Sequence, residues 1–265
     1  MFKKIALVAA MAASASFATY TFFPVGDANK GEATIGPSYY WHDDWSMIQI
    51  NANVKYNVIQ NLELSLQGLG YQLWNEDEHC DDNGAKCPDS DGLLAMTIGA
   101  RYQFMPMLIA ALDIKVPLSS EDAVGGKYDP LGFYGAIQYT QELVSNLYIG
   151  SELGLTFDLE DEDLSHGLVL TLQAELDYSI ASIGLTPWIG FAFNYKLTDD
   201  EYSGVGKWED HSGDNGFTIW LGAQYDINTM FGVKANFVIN TGDSMGAYGG
   251  DNKAKGVNGA LVIRF

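Results

Sequence analysis

Long runs in which apolar and polar residues alternate one for one constrain the fold of this chain more than any other feature. Residues 47–58, MIQINANVKYNV, show the pattern without a slip from Ile48 to Val58. This is the period of a β-strand with one apolar and one polar face. A soluble β-sandwich would turn the apolar face into its core, whereas a membrane barrel would turn it out to lipid.

The same alternation predicts twelve strands along the chain. Most of them are about ten to thirteen residues long, which is closer to the roughly nine to eleven residues of a tilted membrane strand than to the five or six usual in soluble proteins. An even number lets a closed barrel keep both chain ends on one side. The predicted strands are residues 33–41, 46–58, 62–74, 93–104, 108–118, 131–140, 147–158, 168–180, 185–197, 217–227, 231–241 and 257–265.

The connections between these strands alternate in length. Those after even-numbered strands are short, whereas those after odd-numbered strands are mostly long and polar. Short periplasmic turns and long outer loops are typical of bacterial outer-membrane barrels. The pattern predicts an all-β fold, namely a closed antiparallel up-and-down transmembrane β-barrel of about twelve strands, without a second folded domain.

Aromatic residues on the apolar faces gather near both ends of the predicted strands. Although β proteins are generally rich in aromatic residues, amphipathic rings favour the two interfaces of a bilayer, so this placement favours the membrane barrel over the sandwich. The belt near the short turns contains Tyr56, Tyr102, Phe104, Tyr139, Tyr178, Tyr225, Phe231 and Phe265. The belt near the long loops contains Trp41, Trp45, Phe133, Phe157, Phe193, Tyr195 and Phe217.

The first residues, MFKKIALVAAMAASASFA, predict a secretory signal peptide at residues 1–18, followed by the barrel at residues 19–265. Two lysines precede an apolar run that is too short to span a bilayer, and small residues allow cleavage after Ala18 or Ala15. Loss of two lysines and no acids would change the formal charge from −20 to −22. This charge argues against a nucleic-acid partner, and the 47% hydrophobic content argues against a disordered acidic chain.

Cys80 and Cys87 are the two cysteines of the chain. In the oxidising compartment that an exported chain enters, nearby thiols usually pair, which predicts a disulfide; two free thiols are the alternative. The adjacent His79 and the two thiols lack a convincing fourth ligand for zinc. We therefore expect no metal and no cofactor.

The chain ends VNGALVIRF, with Leu261, Ile263 and Phe265 on one face. This resembles the C-terminal signal of Gram-negative outer-membrane β-barrel proteins, whose last strand ends in an aromatic residue and is recognised by the barrel-assembly machinery. The resemblance implies an outer-membrane location, with lipid, lipopolysaccharide, that machinery and periplasmic chaperones as partners. Twelve-stranded relatives include acidic-oligosaccharide channels, nucleoside channels, autotransporter pores and a few lipid-modifying enzymes, so architecture alone does not select a function.

With the apolar face outward, the other face lines a lumen with charges of both signs. These charges form either a constriction that selects solutes by charge and size or a salt-bridge network that holds the barrel shut. Inward aromatic rings either guide sugars by stacking or fill space. The predicted lumen charges are Lys55, Glu63, Arg101, Asp113, Lys115, Glu152, Glu175, Asp177, Asp226, Lys234 and Arg264, and the predicted lumen aromatics are Tyr71, Tyr134, Tyr148, Trp188 and Trp220.

The predicted outer loops hold most of the net negative charge, with acidic clusters in residues 76–91, 160–163 and 199–214. These clusters would attract cations and repel anions over about a Debye length. Divalent cations are a candidate partner, although no stretch fits the twelve-residue calcium loop. Acids beside His42 and His211 could form an acid–base site at the rim, as in ten-stranded outer-membrane proteases, but the spacing is unspecific and we expect no enzymatic activity.

The sequence as a whole predicts a passive porin-like channel for small hydrophilic solutes with an acidic extracellular mouth. The alternative is a closed structural or surface-interaction barrel. In that case the acidic loops would bind cations, a polymer or a protein partner.

Overall fold

The structure is a computed structural model that describes residues 21–42, 45–76, 91–118, 130–160, 164–202, 212–243 and 253–265. The predicted signal peptide, the predicted disulfide between Cys80 and Cys87 and most of the acidic clusters lie outside these residues. No helix within the described ranges is long and apolar enough to cross a bilayer.

Fifteen β-strands occur in the described part of the chain, and twelve of them are long. The long strands are Lys30–Trp41 (β1), Trp45–Ile59 (β2), Leu62–Glu76 (β3), Met96–Met105 (β5), Leu108–Val116 (β6), Gly132–Val144 (β7), Leu147–Asp158 (β8), Val169–Tyr178 (β10), Leu185–Lys196 (β11), Asn215–Asp226 (β13), Phe231–Gly242 (β14) and Lys255–Arg264 (β15). The two-residue strands are Gly92–Leu93 (β4), Leu164–Ser165 (β9) and Glu201–Tyr202 (β12).

The twelve long strands form one closed antiparallel barrel, as the sequence predicts. Each pairs with the next long strand, and β15 returns to pair with β1 from Glu32↔Arg264 to Trp41↔Lys255. A sheet in lipid needs such closure, because an open edge would expose unpaired backbone groups. The short strands β9 and β12 pair separately and join two outer connections.

Short turns occupy one end of the barrel. Two residues separate β2 from β3, and two separate β7 from β8. The second residue in each turn, Asn61 or Asn146, has a positive φ of 69° or 66°. Asn enters this left-handed region more readily than most residues, which allows so tight a reversal. Outer-membrane barrels turn this end to the periplasm; we call it the periplasmic end and the opposite one the outer end.

The apolar face of the strands lies on the outside of the barrel. In β2, Ile48 and Ile50 are 48% and 57% exposed, whereas Gln49 between them is only 5% exposed. Every long strand carries at least one large apolar side chain exposed in this way. An apolar surface that surrounds the barrel is what a bilayer requires and what water would penalise. The barrel is therefore of the membrane-spanning outer-membrane type.

Rings from both predicted belts lie at the two ends of this apolar surface. At the periplasmic end, Phe265 is exposed and stacks on Tyr56, with ring centroids 6.5 Å apart and an interplanar angle of 13°. At the outer end, Phe193 and Tyr195 stack at 6.4 Å. Phe265 also accepts and donates backbone hydrogen bonds with Gly31, at 2.8 and 3.0 Å, so the last residue helps to close the barrel.

One predicted lumen residue, Tyr71, is on the wrong face. The register between β2 and β3 shifts where Gly68 adds an extra residue, with φ of 73° and its N–H donated to Asn53 Oδ1 at 2.8 Å. This β-bulge reverses the alternation in the rest of β3. Tyr71 is consequently 47% exposed and pairs with Ile50 on the lipid face.

Strand boundaries differ from the prediction by a few residues. The largest difference is in β7, which continues to Val144 whereas the alternation ends near residue 140. Residues 141–144 are exposed at the periplasmic end, where no lipid or core face imposes a hydrophobic pattern. Backbone pairing with β8 extends the strand there, although the sequence of these residues does not alternate.

Candidate functional site in the barrel lumen

The strand registers place the eleven predicted lumen charges on the inner face of the barrel wall. The predicted aromatics other than Tyr71 also face inward. Many polar side chains there are almost completely buried, so they fill the described lumen by packing against one another. Among the most enclosed are Glu63, Arg101, Asp113, Gln138 and Glu152, each at most 2% exposed.

Arg101 is at the centre of a hydrogen-bonded network in the periplasmic half of the lumen. Its Nη1 donates to Glu63 Oε1 on β3 at 2.8 Å, and its Nε donates to Gln138 Oε1 on β7 at 3.0 Å. Gln138 Nε2 donates to Glu152 Oε2 on β8 at 2.7 Å. The network connects four strands of the wall, and its buried polar groups satisfy one another.

Glu152 extends this network to a buried ring. The hydroxyl of Tyr134 donates to Glu152 Oε1 at 2.5 Å, and Gln173 Nε2 donates to the same oxygen. The Tyr134 ring lies across Gly154, where any Cβ would overlap the ring and its hydroxyl. Gly154 therefore provides the space that this fully buried tyrosine needs.

Residues 21–25, TFFPV, precede β1 and lie inside the lumen; we call them the N-terminal segment. The backbone carbonyl of Phe23 accepts a hydrogen bond from Arg101 Nη2, and that of Thr21 accepts one from Gln138 Nε2 at 3.2 Å. The two side chains that hold the network together thus also hold the backbone of this segment.

The N-terminal segment enters from the periplasmic end. The backbone N–H of Asn29 donates to the Asn57 carbonyl at 2.7 Å, near the turn between β2 and β3. The Val25 N–H donates to Gln103 Oε1 at 3.0 Å. Because Gln103 is two residues closer to that end of β5 than Arg101 is, the chain from Asn29 back to the network runs into the barrel.

Phe22 is seated in a recess of the lumen wall and is 5% exposed. Its ring stacks on Trp220, with centroids 6.4 Å apart and an interplanar angle of 19°. On the other side, a Cβ at Gly150 would overlap the Cβ of Phe22. Trp220 is itself fixed, since its Nε1 donates to Glu175 Oε2 and its indole covers Gly190.

Further ion pairs lie between the network and the periplasmic rim. Arg264 Nη2 is 2.6 Å from Asp226 Oδ1, and its Nε is 3.4 Å from Glu32 Oε2. Lys55 Nζ is 3.9 Å from the network acid Glu63. These pairs are partly exposed, so each contributes less than the enclosed Arg101–Glu63 pair.

A second buried ion pair lies at the outer end of the barrel. Lys196 Nζ is 2.6 Å from Asp200 Oδ2, and neither side chain is exposed. Asp200 Oδ1 also accepts from the Gly167 N–H at 2.8 Å. The acid follows β11 in an outer connection, so this pair anchors that connection over the lumen.

His166, in the neighbouring connection before β10, has a lowered pKa. Burial lowers the pKa of its imidazole from the ordinary value near 6.5, and Lys196 and Lys115 act in the same direction. The carboxylates of Asp158 and Asp200 oppose the shift. Within the described ranges, no cluster of three or more His, Cys, Asp or Glu side chains is placed to hold a metal ion.

Sequence reasoning missed the N-terminal segment and the glutamines of the network. TFFPV belongs to no alternating run, and it lies between the predicted signal peptide and the first strand. An apolar stretch without strand periodicity at that position was the available signal. Inward-facing glycines were a second signal, because Gly154 and Gly190 leave room for large rings and Gly150 leaves room for the Cβ and backbone of Phe22.

Residues 54–250 match the model of a protein family described as "Putative MetA-pathway of phenol degradation". This match covers most of the chain and includes nine complete long strands of the barrel. The chain belongs to this family. A comparison with curated proteins found no match.

Solved structures with the same fold include several barrels of bacterial outer membranes. An outer membrane channel from Pseudomonas putida F1 has a TM-score of 0.69 at 12% identity, over 94% of this chain and 100% of that one. The NanC porin has a TM-score of 0.57 at 12% identity, over 87% and 98%. The β domain of the Bordetella autotransporter BrkA has a TM-score of 0.56 at 10% identity, over 90% and 100%. These likenesses show the outer-membrane barrel fold.

Proposed function

We propose that this family member is a passive channel for small hydrophilic solutes in the outer membrane. The observation that carries the proposal is the charge-balanced polar lumen inside an apolar wall, in which Arg101, Glu63 and Glu152 are almost completely buried. Charged and amide side chains around a constriction select solutes by charge and size. The similar barrels named as a channel and a porin support the same function.

We further propose that the acidic outer loops favour cations and neutral solutes over anions. Acidic residues are concentrated in residues 76–91 and 199–214 of the sequence, which belong to the predicted outer loops. A negative mouth raises the local concentration of cations and lowers that of anions within about a Debye length. The preference should therefore weaken as ionic strength rises.

A closed surface barrel is the second candidate, and the packing of the network favours it. Arg101 and Glu63 are 1% and 2% exposed and Arg101 also binds the Phe23 carbonyl, so this part of the described lumen is filled in this conformation. In this case the acidic loops would bind divalent cations, a polymer or a protein partner outside the cell. We propose no enzymatic activity for either candidate.

Planar-bilayer recording of the refolded protein separates the two candidates. A channel should give reproducible conductance steps, with a reversal potential in a KCl gradient that indicates cation preference at low salt. Liposomes loaded with the protein should swell faster in a small neutral sugar than in an anionic sugar of similar size. Unfolded protein added in the same detergent is the control. Absence of steps at all voltages, with a correctly folded barrel, would refute the channel and support the closed barrel.

A further inference from the structure

We propose that the lumen contains a binding site for one monovalent cation such as Na⁺, formed by Asp113 of β6 and Ser65 of β3 over the bare backbone of Gly99 in β5. The inference rests on the proposed function and deepens it, because a cation site inside the barrel adds to the cation preference assigned to the outer loops. Binding of the ion does not depend on conduction, so the two are tested separately.

The strand registers place these three residues in one row across the wall. Gly99 pairs with Ser65 on one side and with Asp113 on the other. Side chains of directly paired residues lie on the same face of a sheet, and in this row the middle residue has none. A Cβ built on Gly99 would lie 2.4 Å from Ser65 Oγ and 2.5 Å from Asp113 Oδ1. The two oxygens therefore converge above Gly99.

Asp113 is a completely buried acid whose oxygens the wall does not use. Neither oxygen has a hydrogen-bond partner among the described residues. Arg101, one row nearer the periplasmic end, donates to Glu63 and Gln138 instead. A buried carboxylate in this state carries a large desolvation cost unless a cation or a proton compensates its charge. Asp113 is therefore the group in this row that calls for a ligand.

Ser65 supplies a neutral oxygen beside this acid. Its Oγ accepts a hydrogen bond from Gln67 Nε2 at 3.1 Å, and a hydroxyl oxygen has a second lone pair for a further ligand. Ser65 Oγ and Asp113 Oδ1 lie within 2.5 Å of the same point. Na⁺ has nearly the radius of Ca²⁺, which binds oxygen at about 2.3–2.6 Å, so one Na⁺ can contact both oxygens.

The donor set favours a singly charged, bare ion. Ca²⁺ sites typically use about six to eight oxygens, often from several carboxylates, and in the described part of the chain no three His, Cys, Asp or Glu side chains are placed to hold a metal ion together. Glu152, which interacts electrostatically with Asp113, is already bonded to Tyr134 and Gln138. One carboxylate balances one positive charge. Complete burial of Asp113 leaves no room for an organic cation.

The first test measures binding without conduction. The refolded barrel is unfolded with urea in vesicles of neutral phospholipid, in sodium chloride and in choline chloride at the same ionic strength. Choline is too large for the enclosed site. At about 0.2 M salt, Na⁺ should lower the unfolding equilibrium constant at least about threefold relative to choline, with a saturable dependence on its concentration. Equal stability in the two salts would overturn the site.

Substitutions of the two ligands assign the effect to this row. Asp113→Asn removes the charge at nearly constant shape and should abolish the difference between the two salts. Ser65→Ala should raise the Na⁺ concentration needed for half of the effect severalfold. Asp27→Asn removes the same charge from an exposed position and should keep the parental difference. If Asp113→Asn keeps the Na⁺ effect, or if it stabilises a barrel that does not respond to Na⁺, the proposal is refuted; in the second case Asp113 holds a proton.

Gly99→Ala tests the space between the two ligands while both of them remain in the protein. Its methyl group would occupy the point on which the oxygens converge, so the response to Na⁺ should disappear. Gly135→Ala is the matched control, because a Cβ there meets no atom within 4 Å. Heat-modifiable migration confirms that each barrel is folded. A response of parental size in Gly99→Ala would contradict the proposed site.

The last test concerns selectivity in planar bilayers. At about 1 M salt the Debye length is about 3 Å, so the charge of the outer loops is largely screened. The parent should still prefer Na⁺ to Cl⁻, and Asp113→Asn should lower the permeability ratio severalfold. An unchanged ratio would refute a contribution of the site to selectivity. If Na⁺ stabilises the parent through Asp113 but no barrel conducts, the cation site stands and the proposed channel function is refuted.

Discussion

Replacement of Arg101 by methionine tests whether the lumen network contributes to stability or merely fills space. The arginine is 1% exposed and forms a 2.8 Å bond to Glu63, a 3.0 Å bond to Gln138 and a bond to the Phe23 carbonyl. Methionine has a similar length and no donors. The change leaves the Glu63 carboxylate, 2% exposed, without its close cation.

The expected cost follows from this geometry. Removal of one partner from a buried ion pair costs roughly 3–5 kcal/mol, mostly because the remaining charge is uncompensated. Lys55 Nζ, at 3.9 Å from Glu63, offsets part of that cost. We therefore expect a loss near the lower limit, about 3 kcal/mol in the free energy of unfolding. Arg101→Met combined with Glu63→Gln should recover at least about 1 kcal/mol, since the orphaned charge is then absent.

Urea unfolding of the barrel in phospholipid vesicles, followed by tryptophan fluorescence and gel mobility, measures both values. Lys55→Met is the control, because that lysine is partly exposed and its Nζ is 3.9 Å from Glu63, so its removal should cost less than about 1 kcal/mol. If the single Arg101 variant loses less than about 1 kcal/mol, or if the effects of the Arg101 and Glu63 changes are additive, Arg101 does not stabilise the buried Glu63 charge.

Three other predictions concern separate parts of the molecule. Gly154→Ala should destabilise the barrel by about 1–3 kcal/mol in the same urea assay, because its Cβ overlaps the Tyr134 ring, whereas Gly135→Ala should be nearly neutral. Lys196→Met should leave Asp200 buried without its cation, so limited proteolysis should cut the outer connection faster while barrel unfolding changes little. The NMR titration midpoint of the buried His166 should lie below 6.5 in the folded barrel. Acidification below about pH 6.5 then favours the unfolded chain, because its His166 binds a proton at a higher pH than the buried imidazole does. A midpoint at or above 6.5 would contradict this.

The sequence predicts the wall of the barrel better than its contents. A period of two is a local property, so the inward positions of Arg101 and Glu152 can be read from their neighbours alone. Tyr71 was misplaced because one extra residue at Gly68 shifts the period, so that the apolar positions are even-numbered up to Leu66 and odd-numbered from Leu69. This change of phase and a glycine in the middle of a strand were the local signs.

The N-terminal segment could not be placed from the sequence because its contacts are non-local. Phe23 and Arg101 are 78 residues apart, and Thr21 and Gln138 are 117 apart. Which residues meet inside the lumen depends on the stagger of strands around the barrel, and this stagger depends on turn geometry and bulges. Periodicity gives the face of each residue but not its depth or its neighbours across the lumen.

The energetics of the N-terminal segment indicate that its net binding to the lumen wall is weak. The charge-assisted bond from Arg101 contributes about 1.5–3 kcal/mol and the two bonds with glutamine side chains about 0.5–1.5 kcal/mol each. Burial of Phe22 adds about 1.5–3 kcal/mol, and its stacking on Trp220 about 0.5–1.5 kcal/mol. These gains total roughly 5–10 kcal/mol, against an entropy cost of about 1–2 kcal/mol for each of the five ordered residues. The two totals nearly cancel, so loss of a single contact, such as the Phe22 ring, should be enough to shift the segment out of the lumen.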